Sequence, residues 1–135
     1  VVTYLHAGST TPTGTIVTPT TAGSPANTIS PLSGFSVMNN SSVTVNFASK
    51  ANDAIKLDMN FNGGNQGNIN FQGQSALQTQ FTLTNLSVNQ QSCQSCAATG
   101  FFAGDQANMI GVNYDVKAQI GTSTANLTGV AAFEK

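Results

Sequence analysis

Between Ile55 and Phe61, Ile55, Leu57, Met59 and Phe61 alternate with Lys56, Asp58 and Asn60. Side chains of an extended chain point to opposite faces in turn, so this run predicts a strand with one face in a core and one in water. The same period continues on both sides. Gly34–Met38 reads as a first short strand, Asn39–Ser42 as a turn, and Val43, Val45 and Phe47 alternate with Thr44 and Asn46. Asn62–Gly67 is rich in residues that tolerate positive φ and reads as a hairpin loop, with Ile69 and Phe71 opening the return strand. Leu77, Phe81, Leu83, Leu86 and Val88 follow, and the change of spacing after Leu83 predicts a bulge or bend near Thr84-Asn85. Segments 98–104, 110–120 and 124–135 complete the series. In the last two, Val112, Tyr114, Val116, Ala118 and Ile120 share one face, as do Leu127, Gly129, Ala131 and Phe133.

Counted from residue 32 this makes eight strands, the number at which side chains alone fill a closed barrel. The expected fold is therefore all-β, a small eight-stranded antiparallel β-barrel. Its predicted core is Phe35, Phe47, Phe61, Phe71, Phe81 and Phe133 with Leu57, Met59, Leu83 and Leu127. One helical turn is expected at Asp105–Met109, with Asp105 as its N-cap. Residues 1–31 differ in character. Val1–Leu5 and Thr13–Thr18 can form short strands, but the rest is Thr, Ser, Gly and Pro, including Pro12, Pro19, Pro25 and Pro31, and no Asp, Glu, Lys or Arg precedes Lys50. This segment reads as an extended N-terminal arm or linker: a connection within a larger protein, or an arm that adds to a sheet edge, its own or a neighbour's.

The residues Gly100-Phe101-Phe102-Ala103-Gly104-Asp105-Gln106-Ala107, then Val112-Asn113-Tyr114 and, fifteen residues on, Gly129-Val-Ala-Ala-Phe133, form a pattern of their own. It resembles the C-terminal β-barrel domain of the transferrin-binding protein B family. The positions that carry the likeness are Gly100, Phe101, Phe102, Gly104, Ala107, Tyr114, Gly129 and Phe133, and the family's usual Gly-Pro-Asn-Ala turn stands here as Gly104-Asp-Gln-Ala107. The resemblance covers about residues 32–135, most specifically 99–135. It implies a small eight-stranded barrel of the kind found in Gram-negative surface lipoproteins and at the C-terminal end of secreted proteins, some with a FecR domain. A fold is carried this way far better than a ligand.

Composition narrows the chemistry. The 135 residues suffice for one domain with a buried core. Only 7% are charged, against about 25% in an ordinary soluble domain. Four lysines, no arginine and a net charge of −1 offer no basic cluster, which argues against nucleic acid. No apolar run approaches the ~18 residues of a transmembrane helix. A start at Val1 suggests a mature or excised piece. Cys93 and Cys96 lie in a polar loop between strand-like runs, where a loop-pinning disulfide in an oxidising compartment suits them better than a thioredoxin-type pair. Two thiols alone do not make a zinc site.

His6 is the sole histidine, with no carboxylate or cysteine near it in sequence, and reads as a surface residue; axial ligation of haem is the alternative that the family likeness brings in. Asp58 and Asp115, on polar strand faces beside lysines, read as solvated surface. No Gly-x-Ser-x-Gly occurs, and the Asn62–Gly67 run lacks the lysine of a phosphate loop. Asn39, Asn40, Asn85 and Asn126 begin Asn-x-Ser/Thr triplets of the kind expected by chance in such a composition. The sequence thus points away from an enzyme and from a bound cofactor or metal. Two readings stand ahead of a weaker third, a barrel that serves only as a folding and export element for whatever precedes it. One is a binding or display module at the extracellular or outer-membrane surface of a Gram-negative bacterium, meeting a protein partner through loops such as Asn62–Gly67 and Asn89–Ala98. The other is a homo-oligomeric subunit of an extracellular filament, assembled by strand addition of the uncharged arm.

Overall fold

Alternation of β-branched and aromatic residues with Thr, Asn and Gln favours extended backbone throughout, and the computed structural model of the protein, described over residues 1–19 and 27–135, is built of antiparallel strands. Residues 20–26, with Pro25 of the Thr/Pro-rich segment, lie outside the described residues. In chain order the strands are β1 (Val2–Ser9), β2 (Thr13–Thr18), β3 (Thr28–Pro31), β4 (Ser36–Val37), β5 (Ser42–Val45), β6 (Ile55–Asn62), β7 (Asn68–Ser75), β8 (Gln80–Thr82), β9 (Thr84–Val88), β10 (Gln91–Ser92), β11 (Ala97–Ala103), β12 (Met109–Ile120) and β13 (Ser123–Glu134). A 3₁₀ turn at Gly64–Gln66 caps the β6–β7 hairpin, and another at Asp105–Ala107 joins β11 to β12. No helix among the described residues is long and apolar enough to cross a membrane.

The strands form one sheet in the order β10-β9-β7-β6-β5-β1-β13-β12-β11-β8, with β2 on β13, β3 on β2 and β4 on β6. The closed eight-stranded barrel expected from the sequence does not form: among the described residues there are thirteen strands, and the order has two ends, at β10 and β8. The cause is visible in the run from Gln80 to Val88, which reads as one strand but changes partner at Leu83. On one side of Leu83, β8 pairs with β11; on the other, β9 pairs with β7. Leu83 N donates to Ala98 O, and the next residue turns its hydroxyl to Gln74 O. Asn85 has φ of 50°, so the bend falls where the spacing predicts it. Only covalent chain joins the two ladders there, and the hydrogen bonding does not run on around the molecule.

The N-terminal residues lie within this sheet. β1 pairs with β5 through Val2–Leu5 and with β13 through Leu5–Ser9, and β2 continues along the same β13. Between them Thr10 N donates to Val130 O and Val130 N donates to Thr10 Oγ1, both at 3.0 Å. Tyr4 is fully buried. Similarly, β4 and β5 lie in tandem on β6, and the buried Ser41 hydroxyl between them accepts from Asn60 N at 2.9 Å and donates to Asn60 O at 3.3 Å.

One face of the sheet encloses a single core that runs from Tyr4 to Phe133. Each fully buried large apolar side chain there contributes about 1.5–3 kcal/mol relative to exposure. Of the expected core, Phe35, Leu57, Met59, Phe61, Phe71, Phe81, Leu83, Leu127 and Phe133 are buried. Phe47 is not: it is 46% exposed, because β5 ends at Val45 and the ring lies past the last ladder pair. Asp105 does not cap its turn either. Gly104 holds the cap position, without a side-chain cap bond.

Candidate functional site: an aromatic rim around a strained turn

The residues of the Gly100–Phe133 pattern solve one packing problem repeatedly. Gly100 stands opposite Phe81, Gly111 opposite Phe101, and Gly129 opposite Tyr114 on neighbouring strands. In each pair a Cβ on the glycine would run into the aromatic ring. The missing side chain lets a ring lie across the neighbouring backbone, a cross-strand pairing of aromatic and glycine. Phe81 and Tyr114 cross their glycines on the buried face; Phe101 covers Gly111 on the outer face and stays 41% exposed. Phe133 is buried, with the His6 ring edge-on to it at 6.1 Å.

The connection from β11 to β12 is a different matter. Gly104 has φ of 77°, and a Cβ there would meet the Asn108 side chain. Gln106 and Ala107 also sit at positive φ, 56° and 52°. For residues with a Cβ this costs roughly 1–2 kcal/mol each, so the turn needs outside support. Both ends of the chain supply it. Tyr4 Oη donates to Ala107 O at 2.6 Å, Lys135 Nζ donates to Gln106 O at 3.0 Å, and Lys135 N donates to Asn108 O at 3.2 Å. Burial pushes the Tyr4 phenol above its ordinary range, keeping it a donor. The Lys135 ammonium stands 6.0 Å from the Tyr4 ring centre, within cation–π range.

Next to the turn lies an exposed aromatic rim. The half-buried Phe102 meets Tyr4 at 6.2 Å, Phe47 at 5.9 Å and Phe81 at 5.8 Å between ring centres. Phe47, Leu77, Gln78, Thr79, Phe102 and Ala107 line a shallow cleft of about 340 Å³. Apolar side chains fixed around a rigid turn, with few polar atoms between them, suit contact with another apolar surface. Compared with models of known protein families, with curated proteins and with solved structures, the chain finds no match.

The residues singled out from the sequence divide among three places. Phe102, Gly104 and Ala107 meet at the rim. Gly100, Tyr114, Gly129 and Phe133 serve the packing, with Phe101 on the outer face. Cys93 and Cys96 form a disulfide in the loop before β11, where Lys117 N donates to Cys96 Sγ at 3.4 Å. Lys117 is eight residues along β12 from the turn, roughly 25 Å away. Both nitrogens of His6 have partners, Nδ1 with Asn39 Oδ1 at 3.2 Å and Nε2 with Ser9 Oγ at 3.0 Å, so a metal would have to displace one of them. Asp58 accepts from Asn70 Nδ2 at 2.6 Å, and Asp115 is exposed. Among the described residues no three His, Cys, Asp or Glu side chains gather as a metal site.

Sequence reasoning missed the parts of the rim that are distant in the chain. Tyr4, Leu77 and Lys135 reach it only through the strand order. The one local signal is the place of Phe47 at the tail of its alternating run, where the ladder ends.

Proposed function

We propose that the chain is a non-enzymatic binding or display module of an extracellular or outer-membrane surface in a Gram-negative bacterium, related to the C-terminal domain of the transferrin-binding protein B family. The observation that carries this reading is the strained Gly104–Asn108 turn, tied down by Tyr4 and Lys135 beside an exposed aromatic rim. Strain held in place by both chain ends, next to apolar side chains left in solvent, is the arrangement of a contact surface. The disulfide and the scarcity of charge suit an oxidising exterior. The partner is a protein with an apolar patch of its own.

A photo-crosslinking phenylalanine analogue at Phe47 tests this in cells that make the protein. The expected result is one heterologous adduct, absent when the analogue stands at the exposed Thr128 and lost on Leu77→Glu. No adduct, or an adduct with the mass of two copies of this chain, contradicts it.

The reading as a filament subunit joined by the N-terminal arm has less support, because β1 and β2 are engaged in this chain's own sheet.

A further inference from the structure

Beyond the rim, β8 and β11 border a second cleft, of about 760 Å³, which reaches from their outer face to Phe81 and Gly100 on the buried one. Its walls are the end of β7 at Ser75-Ala76 on one side and β8 on the other, and residues 76–79 connect the two, closing one end. The phase of the β8 ladder follows from two bonds, Leu83 N to Ala98 O and Phe102 N to Thr79 O. Alternate residues of an antiparallel strand face the partner, so Thr79, Phe81 and Leu83 face β11. Gln80 and Thr82 therefore turn their N–H and C=O groups away from the ladder, towards the β7 side and the cleft.

The side chains complete the picture. Asn52, Gln78, Gln80, Thr82 and Thr99 line the cleft, and none of them makes a side-chain hydrogen bond to another described residue. Ser75 and Thr84, by contrast, are committed to Ala76 O and Gln74 O. Phe101 adds an aromatic ring backed by Gly111 and open to solvent on its other side. No charged residue is part of the lining.

We propose that this cleft is a binding site for a neutral saccharide. Each sugar hydroxyl is both donor and acceptor, which uncommitted amides, hydroxyls and outward main-chain groups match side by side. The C–H face of the ring is apolar and lies against an exposed aromatic face. An uncharged lining offers no formal charge to pair with an anion or a cation, which favours a neutral ligand. An extended peptide fits less well, because β8 presents only two outward ladder positions and the 76–79 connection blocks a strand from running through. Gln78 borders both clefts, but the inference rests on Gln80, Thr82, Thr99 and Phe101, none of which lines the rim.

The test uses the full chain labelled with ¹⁵N and titrated with neutral tetrasaccharides, an α-glucan, a β-glucan and an N-acetylated chitin fragment. The expected result is a set of amide shifts centred on Gln80, Thr82, Thr99 and Phe101 with one of these, half-saturated at about 1 mM or below. Phe101→Ala then weakens binding about tenfold, as loss of one aromatic contact should. Should Phe101→Ala not fold, Thr82→Lys decides: it changes an exposed outward residue and places a cation in the cleft, and it must weaken the same saccharide by a similar factor. The proposal is overturned if none of the sugars moves these amides by about 10 mM. It is equally overturned if binding survives the substitution, or if an uncharged extended peptide moves the same amides instead.

Discussion

At the residue scale, the three glycine–aromatic pairs are not equivalent. Phe81 is buried and cannot swing away from Gly100, whereas Phe101 is partly in solvent and can move off Gly111. Gly100→Ala is therefore expected to cost about 1–3 kcal/mol by overpacking, and Gly111→Ala distinctly less, in urea unfolding of each variant. Tyr114 gives a prediction about pH. Its hydroxyl is buried without a hydrogen-bond partner among the described residues, and burial pushes the phenol up to about 12. The unfolded chain ionises this group near 10, so the folded state binds the proton more tightly. Stability is unaffected below pH 10 and falls as pH rises from about 10 towards 12. Tyr4, also raised, adds to the fall. Tyr114→Phe should remove part of that alkaline loss and, at neutral pH, leave stability unchanged or higher by up to about 1 kcal/mol. Unfolding curves at about pH 8 and about pH 11 read both effects. The burial of Phe61, Phe71 or Leu127 is legible in the alternation alone. The exposure of Phe47 is not, since period two gives the face of a residue but not how far along the strand its neighbours extend. Nor is the cap at Gly104, because a left-handed turn there leaves Asp105 without the helical amides that an N-cap would bond.

At the element scale, β1 is the strand whose loss the sheet can least absorb. It lies between β5 and β13, and its removal opens an edge on each and takes away Tyr4, which holds the Gly104–Asn108 turn. A chain lacking residues 1–9 is expected not to fold cooperatively, seen as loss of the thermal transition by circular dichroism. The disulfide has a smaller part. Cys93 and Cys96 are three apart, and so short a loop restrains the unfolded chain by about 2 kcal/mol. A double serine variant should keep the strand spectrum and lose no more than that. Ile55–Asn62 is readable from the sequence because it alternates between turn signals, and Thr13–Thr18 because β-branched Thr, Ile and Val lie between Pro12 and Pro19. The exchange of partners at Leu83 is not: the spacing shows that the chain bends, but whether a bent strand keeps one neighbour or takes two depends on residues far away, here Ala98 and Gln74. That exchange opens the order and adds one strand to the eight runs; β10 adds another, and β1–β3 lie before residue 32, outside that count.

At the scale of the molecule, the question is whether such an uncharged sheet stays alone. The outermost strand on one side is β3, fully exposed and, among the described residues, paired only with β2. Leu32 N bonds to Gly14 O, so by alternation Thr28 and Ser30 face β2, and Ile29 and Pro31 face outward. Pro31 has no N–H to offer, which blunts this edge against a further strand much as edge prolines do elsewhere. With β1 and β2 engaged inside the chain's own sheet, the proposed module is expected to stand alone rather than as a link in a polymer. The mass of the native particle, by light scattering on a gel-filtration column with microscopy of any excluded fraction, tests this most directly. One species near the chain mass of 13.9 kDa is expected. Filaments or large oligomers that fall apart when Pro31 or Ile29 is replaced would show that the β3 edge joins copies, and would contradict it.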